Sequence, residues 1–466
     1  VRAGLPWRLQ GAIMAALAGK EGGMGQTGST LAILGGPRTL PADADHKDLF
    51  RWPIVTAEDE QAVLEVLRSG AMSGTGVTRQ FEEEFAAWMG VRHALGCCNG
   101  TAAILGATWA CGVGAGDEII APSLTYWASA TQALQLGASV NFADVDPDTL
   151  CIDPRDIEHR IGPRTRLIVV VHYAAHPCDM DPIMAIARRH GVKVLEDASH
   201  AVGTLYKGRK AGTIGDIAAM SMMTGKGFAI GEAGMTVTND RGLYERCIAY
   251  GHYERTGVSS NFNPVDAQVH DASLTRFAGV PLGGAKHRMN QTCAAMGRVQ
   301  LRHYDRRMAE IQSAMNRFWD LLEGVPGLRA HRPAAGSQST MGSWYFPRGL
   351  YRAEELDGLP CGRFCEAVRA EGVGHCGPGA NRPLHLHPVF HEADIFAMGR
   401  PTMVSFGQRD VRQGPGSLPV TENTGNTVLS VPWFKHDDPD IIARYADAYR
   451  KVALQADRLL RASRPE

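Results

Sequence analysis

Lys226 closes the run Ser221-Met-Met-Thr-Gly-Lys226 and is followed by Gly227-Phe-Ala-Ile-Gly-Glu232-Ala-Gly234, a lysine held between glycine-rich turns. Such an amine condenses with aldehydes, and burial lowers its pKa enough for nucleophilic and base chemistry. A lone lysine is more often a solvated surface charge, so this motif needs company. Asp197 follows the apolar run Val192 to Glu196 in Glu196-Asp197-Ala198-Ser199-His200. That sets a carboxylate at the carboxyl end of a buried strand, where open α/β sheets bind ligands. A carboxylate there can pair with a protonated ring nitrogen, although an Asp after a strand serves equally as a helix N-cap. Asn99-Gly100-Thr101-Ala102-Ala103 opens an apolar helix. Its backbone N–H groups, hydroxyl and helix dipole suit a phosphate, and an N-cap without ligand explains it as well.

What raises these three above their separate explanations is their order. A phosphate cradle, a strand-end carboxylate and a later lysine follow the serial order of a fold-type I pyridoxal-phosphate (PLP) enzyme. In such an enzyme Asp197 would keep the pyridine ring an electron sink and Lys226 would hold the cofactor as a Schiff base.

The elements that must position these residues are legible as an alternating α/β pattern from about Thr56 to Asp240. Thr56 with Asp59 three residues later forms a variant capping box for a helix that ends at Arg68, Ser69 and Gly70. Strands are expected at Glu118 to Pro122, Val140 to Val145, Leu167 to His172, Val192 to Glu196, Ala218 to Met222 and Met235 to Thr238, apolar enough to be buried on both faces. From about Asn290 to Glu323, Ala295, Val299, Tyr304, Met308 and Ile311 recur at helical spacing and predict one long connecting helix. The expected division is a leader at 1–30, a large PLP-binding domain at 31–290, the connecting helix at 291–324 and a small α+β domain at 325–466. Between Tyr250 and Pro281 a polar stretch without periodicity is compatible with a loop over a substrate pocket or with a surface insertion.

Composition excludes several function classes. A chain of 466 residues with 44% hydrophobic content buries a two-domain core. Its 48 basic and 49 acidic residues leave a net charge of -1, too little to draw it to nucleic acid or an anionic membrane. Ten cysteines, with no paired C-x-x-C, read as free thiols in a reducing, cytoplasmic compartment. The short apolar stretch Ala12 to Ala18, preceded by Arg2 and Arg8, is closed early by Lys20 and Glu21 and reads as an extended or misassigned start, or a disordered leader through about Ser29, rather than a signal peptide.

The segments NGTAA, PSLTYWASA, VHYAAHPCDMD, EDASHAVGTLYKGRKAGTIGD, SMMTGKGFAIGEAG, AKHRMNQTCAAMGRVQL and VLSVPWFK together resemble the DegT/DnrJ/StrS-type sugar and cyclitol aminotransferases, from about Leu31 to the C-terminal region. The resemblance implies the aspartate-aminotransferase fold, with Lys226 as Schiff-base residue and proton shuttle and Asp197 on the pyridine nitrogen. It also places His200 on the phenolic oxygen, Gly100, Thr101 and Ser221 at the phosphate, and Tyr126 stacked on the cofactor. It further implies a homodimer in which Lys286 and Arg288 reach the neighbouring subunit's site. Two departures stand out. Lys286 occupies a position where many members carry Asn, and Ala233 replaces the first glycine of a Gly-Gly pair. A lysine still meets a phosphate as a point charge.

The implied reaction moves an amino group from Glu or Gln to a keto-sugar or a cyclitol ketone such as an inosose. Two alternatives share the scaffold: a sugar dehydratase or deaminase, whose Schiff-base lysine is typically His, and a non-catalytic PLP-binding regulatory protein. His385, His387 and His391 are close enough to suggest zinc, but without H-E-x-x-H or paired Cys they are expected to be structural, with substrate contact as the alternative and no metal. Cys361 and Cys365, at i and i+4, read as buried small hydrophobes. Lys207 to Lys210 read as a hairpin turn.

Overall fold

The computed structural model describes residues 29–41, 46–259, 261 and 263–462. The apolar stretch Ala12 to Ala18 and all but the last two residues of the 1–30 leader lie outside them. No helix among the described residues is long and apolar enough to cross a membrane.

The first long helix, α1 (Ala57–Ser69), begins at the expected capping box, with both Thr56 and Asp59 reciprocating, and ends on Gly70 in the left-handed conformation. Helix α2 (Gly76–Met89) leads into β1 (His93–Cys97) and α3 (Gly100–Ala110). There follow β2 (Glu118–Pro122), α4 (Ala128–Gln135), β3 (Ser139–Ala143), β4 (Thr165–Val171), α5 (Met180–His190) and β5 (Lys193–Asp197). The large domain closes with β6 (Ile217–Ser221), β7 (Gly234–Thr238) and α6 (Arg241–Gly251). The strands assemble in the order β1-β7-β6-β5-β4-β2-β3, with β7 antiparallel to both neighbours and the rest parallel. Six of the seven are those expected from sequence, within two residues at each end. The seventh, β1, is a His-Ala-Leu-Gly-Cys run of low β-propensity that forms because it pairs along all of β7.

Period-two alternation explains how both faces are covered. Ile119, Ala121, Val140, Phe142, Leu167, Val169 and Leu195 pack under α3, α4 and α6. Their neighbours Ile120, Ile168, Val170 and Val194 face α5. On the β1 side of the sheet, Met220, Met235 and Val237 meet Phe81 and Phe85 of α2.

Helix α7 (Gln291–Leu321) is a single 31-residue helix. Ala294, Tyr304 and Met308 are buried in the large-domain core, whereas Ile311, Met315, Phe318 and Trp319 are buried in the next one. That second core belongs to an antiparallel sheet ordered β8-β9-β11-β10, built from β8 (Leu328–Ala330), β9 (Arg348–Tyr351), β10 (Gly377–Pro378) and β11 (Val428–Ser430). It is completed by α8 (Cys361–Ala370), which carries the buried Cys361 and Cys365, and α9 (Pro439–Ala453). The two lobes also exchange segments that a linear division hides. Leu31, Leu40 and Leu49 enter the small-lobe core. In the other direction Leu384, Phe390, Met403, Val411 and Leu418 return to the α3/α4 face of the large sheet.

Candidate active site

At the carboxyl edge of the large sheet lies a cavity of about 420 Å³. Its wall contains seven of the residues singled out in the sequence: Gly100, Thr101, Tyr126, Asp197, His200, Ser221 and Lys226. Lys286 is not among them. Within one chain it is exposed, its Nζ 5.9 Å from the Tyr253 ring centre, and Arg288 pairs through its backbone with Cys97. The stretch from Tyr250 to Pro281 runs from the end of α6 through a short turn and the hairpin Thr256–Val258 and Pro264–Ala267 to the helical turn Ala272–Thr275. It is pinned by Arg255 on Glu82 at 2.7 Å, and none of its described residues lines the cavity.

One end of the cavity is the start of α3. Asn99 is the extended N-cap, and its side chain accepts from the Ala102 N–H at 2.8 Å. The earlier N–H groups of the helix, at Gly100 and Thr101, have no intrahelical acceptor and face a cavity suited to an anion. Close packing fixes this turn. A Cβ on Gly100 would stand 2.6 Å from Ser221 Cβ, and one on Gly234 would stand 2.4 Å from the Asn99 carbonyl oxygen. Gly234 is therefore required by backbone approach. Position 233 is not, since the Ala233 methyl packs with Phe228 and Ile230 in the core.

At the end of β5, Asp197 is only 4% exposed. One carboxylate oxygen accepts from the Ser129 hydroxyl at 2.6 Å and the other from the Ser199 N–H at 3.0 Å. Ser129 in turn is 3.0 Å from the Thr125 hydroxyl. His200 is buried, and burial together with the positive charges of Lys226 and Arg348 holds its pKa well below the usual imidazole value. Its Nδ1 accepts from the Ala174 N–H at 3.3 Å, which assigns the ring proton to Nε2. Neutral His200 is thus a hydrogen-bond donor.

Lys226 sits in a turn after β6, its N–H donating to the Met223 carbonyl and its own carbonyl accepting from Trp52 Nε1 at 2.8 Å. The turn presses so closely on the small lobe that a Cβ at Gly227 would stand 1.9 Å from Ser343 Oγ. The Lys226 ammonium makes no hydrogen bond or ion pair to the described residues and lies 4.4 Å from the Tyr345 ring centre. Burial lowers its pKa to about 8, with the negative charge of Asp197 opposing the shift.

This donor set fits PLP. The helix start suits its phosphate, the fixed carboxylate its ring nitrogen, the neutral imidazole its phenolic oxygen and the unpaired lysine its aldehyde. Sequence reasoning missed Ser129, Trp52, Tyr345 and Asn381, all of which contact these groups or line the cavity. Ser129 was within reach, one helical turn after Thr125 in the PSLTYWASA segment. Trp52 and Tyr345 carry no local signal, because they arrive from the small lobe.

Two of the three histidines are built into the fold, whereas His387 is exposed and its Nδ1 accepts from the nearby Val389 N–H at 3.2 Å. His385 bridges Ser123 at 2.7 Å and Glu422 at 3.1 Å, and His391 bonds the His385 carbonyl at 2.6 Å. Lys207 and Gly208 form the expected turn, both with positive φ.

Comparison with known proteins gives one consistent result. The profile of the DegT/DnrJ/EryC1/StrS aminotransferase family matches residues 53–447. The chain is 37% identical over 409 residues to the spore coat polysaccharide biosynthesis protein SpsC of Bacillus subtilis, covering 88% of this chain and 97% of that protein. It is 34% identical over 361 residues to the L-glutamine:2-deoxy-scyllo-inosose aminotransferase of Streptoalloteichus tenebrarius, covering 75% and 82%. Among solved structures, the aminotransferase from Psychrobacter cryohalolentis superposes with a TM-score of 0.71 at 30% identity, covering 86% of this chain and 97% of that one. The chain belongs to the DegT/DnrJ/EryC1/StrS aminotransferase family and is a PLP-dependent enzyme of the aspartate-aminotransferase fold.

Proposed function

We propose that this enzyme transfers the amino group of L-glutamate or L-glutamine to the ketone of a sugar or of a cyclitol such as an inosose. The carrying observation is Lys226: buried, unpaired and depressed to a pKa of about 8, in one cavity with Asp197. Relatives named for polysaccharide biosynthesis and for inosose amination support the substrate class. A lysine at 226 favours transamination over the dehydratase chemistry of the same scaffold.

Bound here, PLP supplies the carbonyl that accepts the amino group and a ring that stabilises charge at the carbon losing its proton. The protein's residues do the rest. Gly100, Thr101 and Ser221 would hold the phosphate, Tyr126 would cover one face, and Asp197, braced by Ser129, would keep the ring nitrogen protonated. His200, its Nδ1 accepting from Ala174, would donate through Nε2 to the phenolic oxygen. Lys226 Nζ would take the proton that leaves the donor's α-carbon and deliver it to the carbon that carried the cofactor's carbonyl, as general base and then general acid. We also propose a cytoplasmic homodimer in which Lys286 and Arg288 serve the partner's site.

The test is the visible spectrum of PLP-loaded protein before and after L-glutamine or L-glutamate. The lysine-bound cofactor band is expected to disappear with one donor and to return on adding an inosose or a keto-sugar. A band that neither donor alters refutes the reading. Lys226→Ala should lose the band and at least about 10²-fold in turnover, the contribution expected of a positioned proton-transfer group.

A further inference from the structure

The main chain of Lys226 lies in an irregular turn after β6, outside any strand or helix ladder. Its N–H donates to the Met223 carbonyl at 2.8 Å, and its carbonyl has one donor among the described residues, the indole Nε1 of Trp52 at 2.8 Å. That indole comes from the other lobe. The Trp52 ring packs against the small-lobe core, as does Phe50, and the segment is tied on both sides of it. The Leu49 carbonyl accepts from the Lys435 N–H at 2.9 Å, and the Ile54 carbonyl accepts from Gln300 Nε2 of α7 at 3.0 Å. A second indole, Trp433, lies 6.4 Å from Trp52 between ring centres and donates through Nε1 to the Ser343 carbonyl at 2.8 Å. Trp433 also meets Tyr345 edge-on at 5.5 Å, and Tyr345 lies against the Lys226 ammonium. Trp52, Trp433 and Tyr345 thus run as one aromatic chain from the carbonyl of Lys226 to its amine. Neither indole lines the cavity.

We propose that Trp52 is a positioning residue for Lys226: its N–H fixes the root of the lysine stem, and the aromatic chain behind it fixes the tip. A lysine stem is flexible, and this one ends without a polar partner. The direction of Nζ is therefore set by the main chain at one end and by the Tyr345 ring at the other. Proton transfer tolerates little error in that direction, since reacting atoms must approach to about 3–3.5 Å and a misplacement of about 1 Å can cost about 10²-fold. As a fold contact alone, the Trp52 hydrogen bond would support stability and leave the rate of one chemical step untouched. As a positioning contact it acts on that step and on the burial of the amine, because it holds the turn closed against Ser343.

This inference rests on the role proposed for Lys226, and the experiment separates the two. PLP-loaded wild type, Trp52→Phe and Trp433→Phe are compared for the rate constant and the half-saturating concentration of the donor half-reaction with L-glutamine and L-glutamate. The same proteins without PLP are compared for the pH midpoint of Lys226 labelling by an amine-reactive reagent. Trp52→Phe keeps a ring on the small-lobe core and loses only the N–H donor. It is expected to lower the rate constant by about 10- to 100-fold while the half-saturating donor concentration and the PLP Kd stay near wild type. The labelling midpoint should rise from about 8 toward the ordinary 10.5, because a loosened turn admits water to the amine. Trp433→Phe removes an equivalent indole hydrogen bond from the same aromatic chain without touching the Lys226 carbonyl, and should leave the rate constant near wild type. A tryptophan analogue with sulfur in place of the ring N–H, incorporated at position 52, should repeat the Trp52→Phe losses with the shape of the side chain unchanged, and supplies the comparison if Trp52→Phe does not fold. A wild-type rate constant and midpoint in the variant lacking the N–H overturns the positioning role, and so does an equal loss in Trp433→Phe. Retention of the lysine-bound cofactor band in Lys226→Ala overturns the reading of Lys226 itself, whatever Trp52→Phe does.

Discussion

The depressed pKa of Lys226 makes a quantitative prediction about the apo-protein. Its value of about 8 comes from burial, against an ordinary lysine value of 10.5. At about pH 7.5 roughly one quarter of such a lysine is neutral, compared with roughly one part in a thousand for an unshifted one, a ratio of about 240. The assay is competitive labelling: apo-protein is exposed to a trace amine-reactive reagent across about pH 6 to 11, and the Lys226 peptide is quantified by mass spectrometry. Its labelling should titrate with a midpoint near 8 while surface lysines titrate near 10.5. Asp197→Asn should move the midpoint lower, because the Asp197 charge is what raises it. The same shift acts on stability. Between pH 8 and 10.5 the unfolded chain binds the Lys226 proton and the folded chain does not, so folding gains stability as pH rises through that window. The gain is at most about 3 kcal/mol. A Lys226 midpoint indistinguishable from the surface lysines would refute the burial argument and, with it, the readiness of this amine at neutral pH.

Three further outcomes follow from the cavity geometry. Ser129→Ala removes the 2.6 Å hydrogen bond to Asp197 and should weaken PLP binding by about 10- to 100-fold, measured by fluorescence titration. An unchanged Kd would show that the carboxylate needs no brace. Gly100→Ala drives a methyl into Ser221 and should cost about 1–3 kcal/mol in denaturant unfolding as well as lower PLP affinity; wild-type stability would contradict the close approach. Tyr126, 49% exposed at the cavity wall, should tolerate Phe, whereas Tyr126→Ala should lose about 0.5–1.5 kcal/mol of PLP binding. Equal affinity in the Ala variant would remove Tyr126 from the cofactor face.

Much of this molecule is written locally. The Thr56–Asp59 capping box, the Lys207–Gly208 turn and the apolar runs of the central strands each depend on residues a few positions apart, and each forms where the sequence expects it. The serial order of Gly100, Asp197 and Lys226 also survives folding, because parallel strands of one sheet bring their carboxyl ends to a common edge. Register completes the alignment, with Cys97 opposite Gly234, Gly234 opposite Ser221 and Asp197 opposite Ala219.

What sequence could not supply are relations across the chain. Ser129 reaches Asp197 over 68 positions, Trp52 reaches Lys226 over 174, and Tyr345 and Arg348 arrive from the small lobe. Helix capping, turns and strand periodicity were determined by the sequence alone, since their energies are settled within a few residues. The sheet order and the closure of two lobes over one cavity were decided by tertiary packing. Only that closure buries Lys226 deeply enough to lower its pKa to about 8.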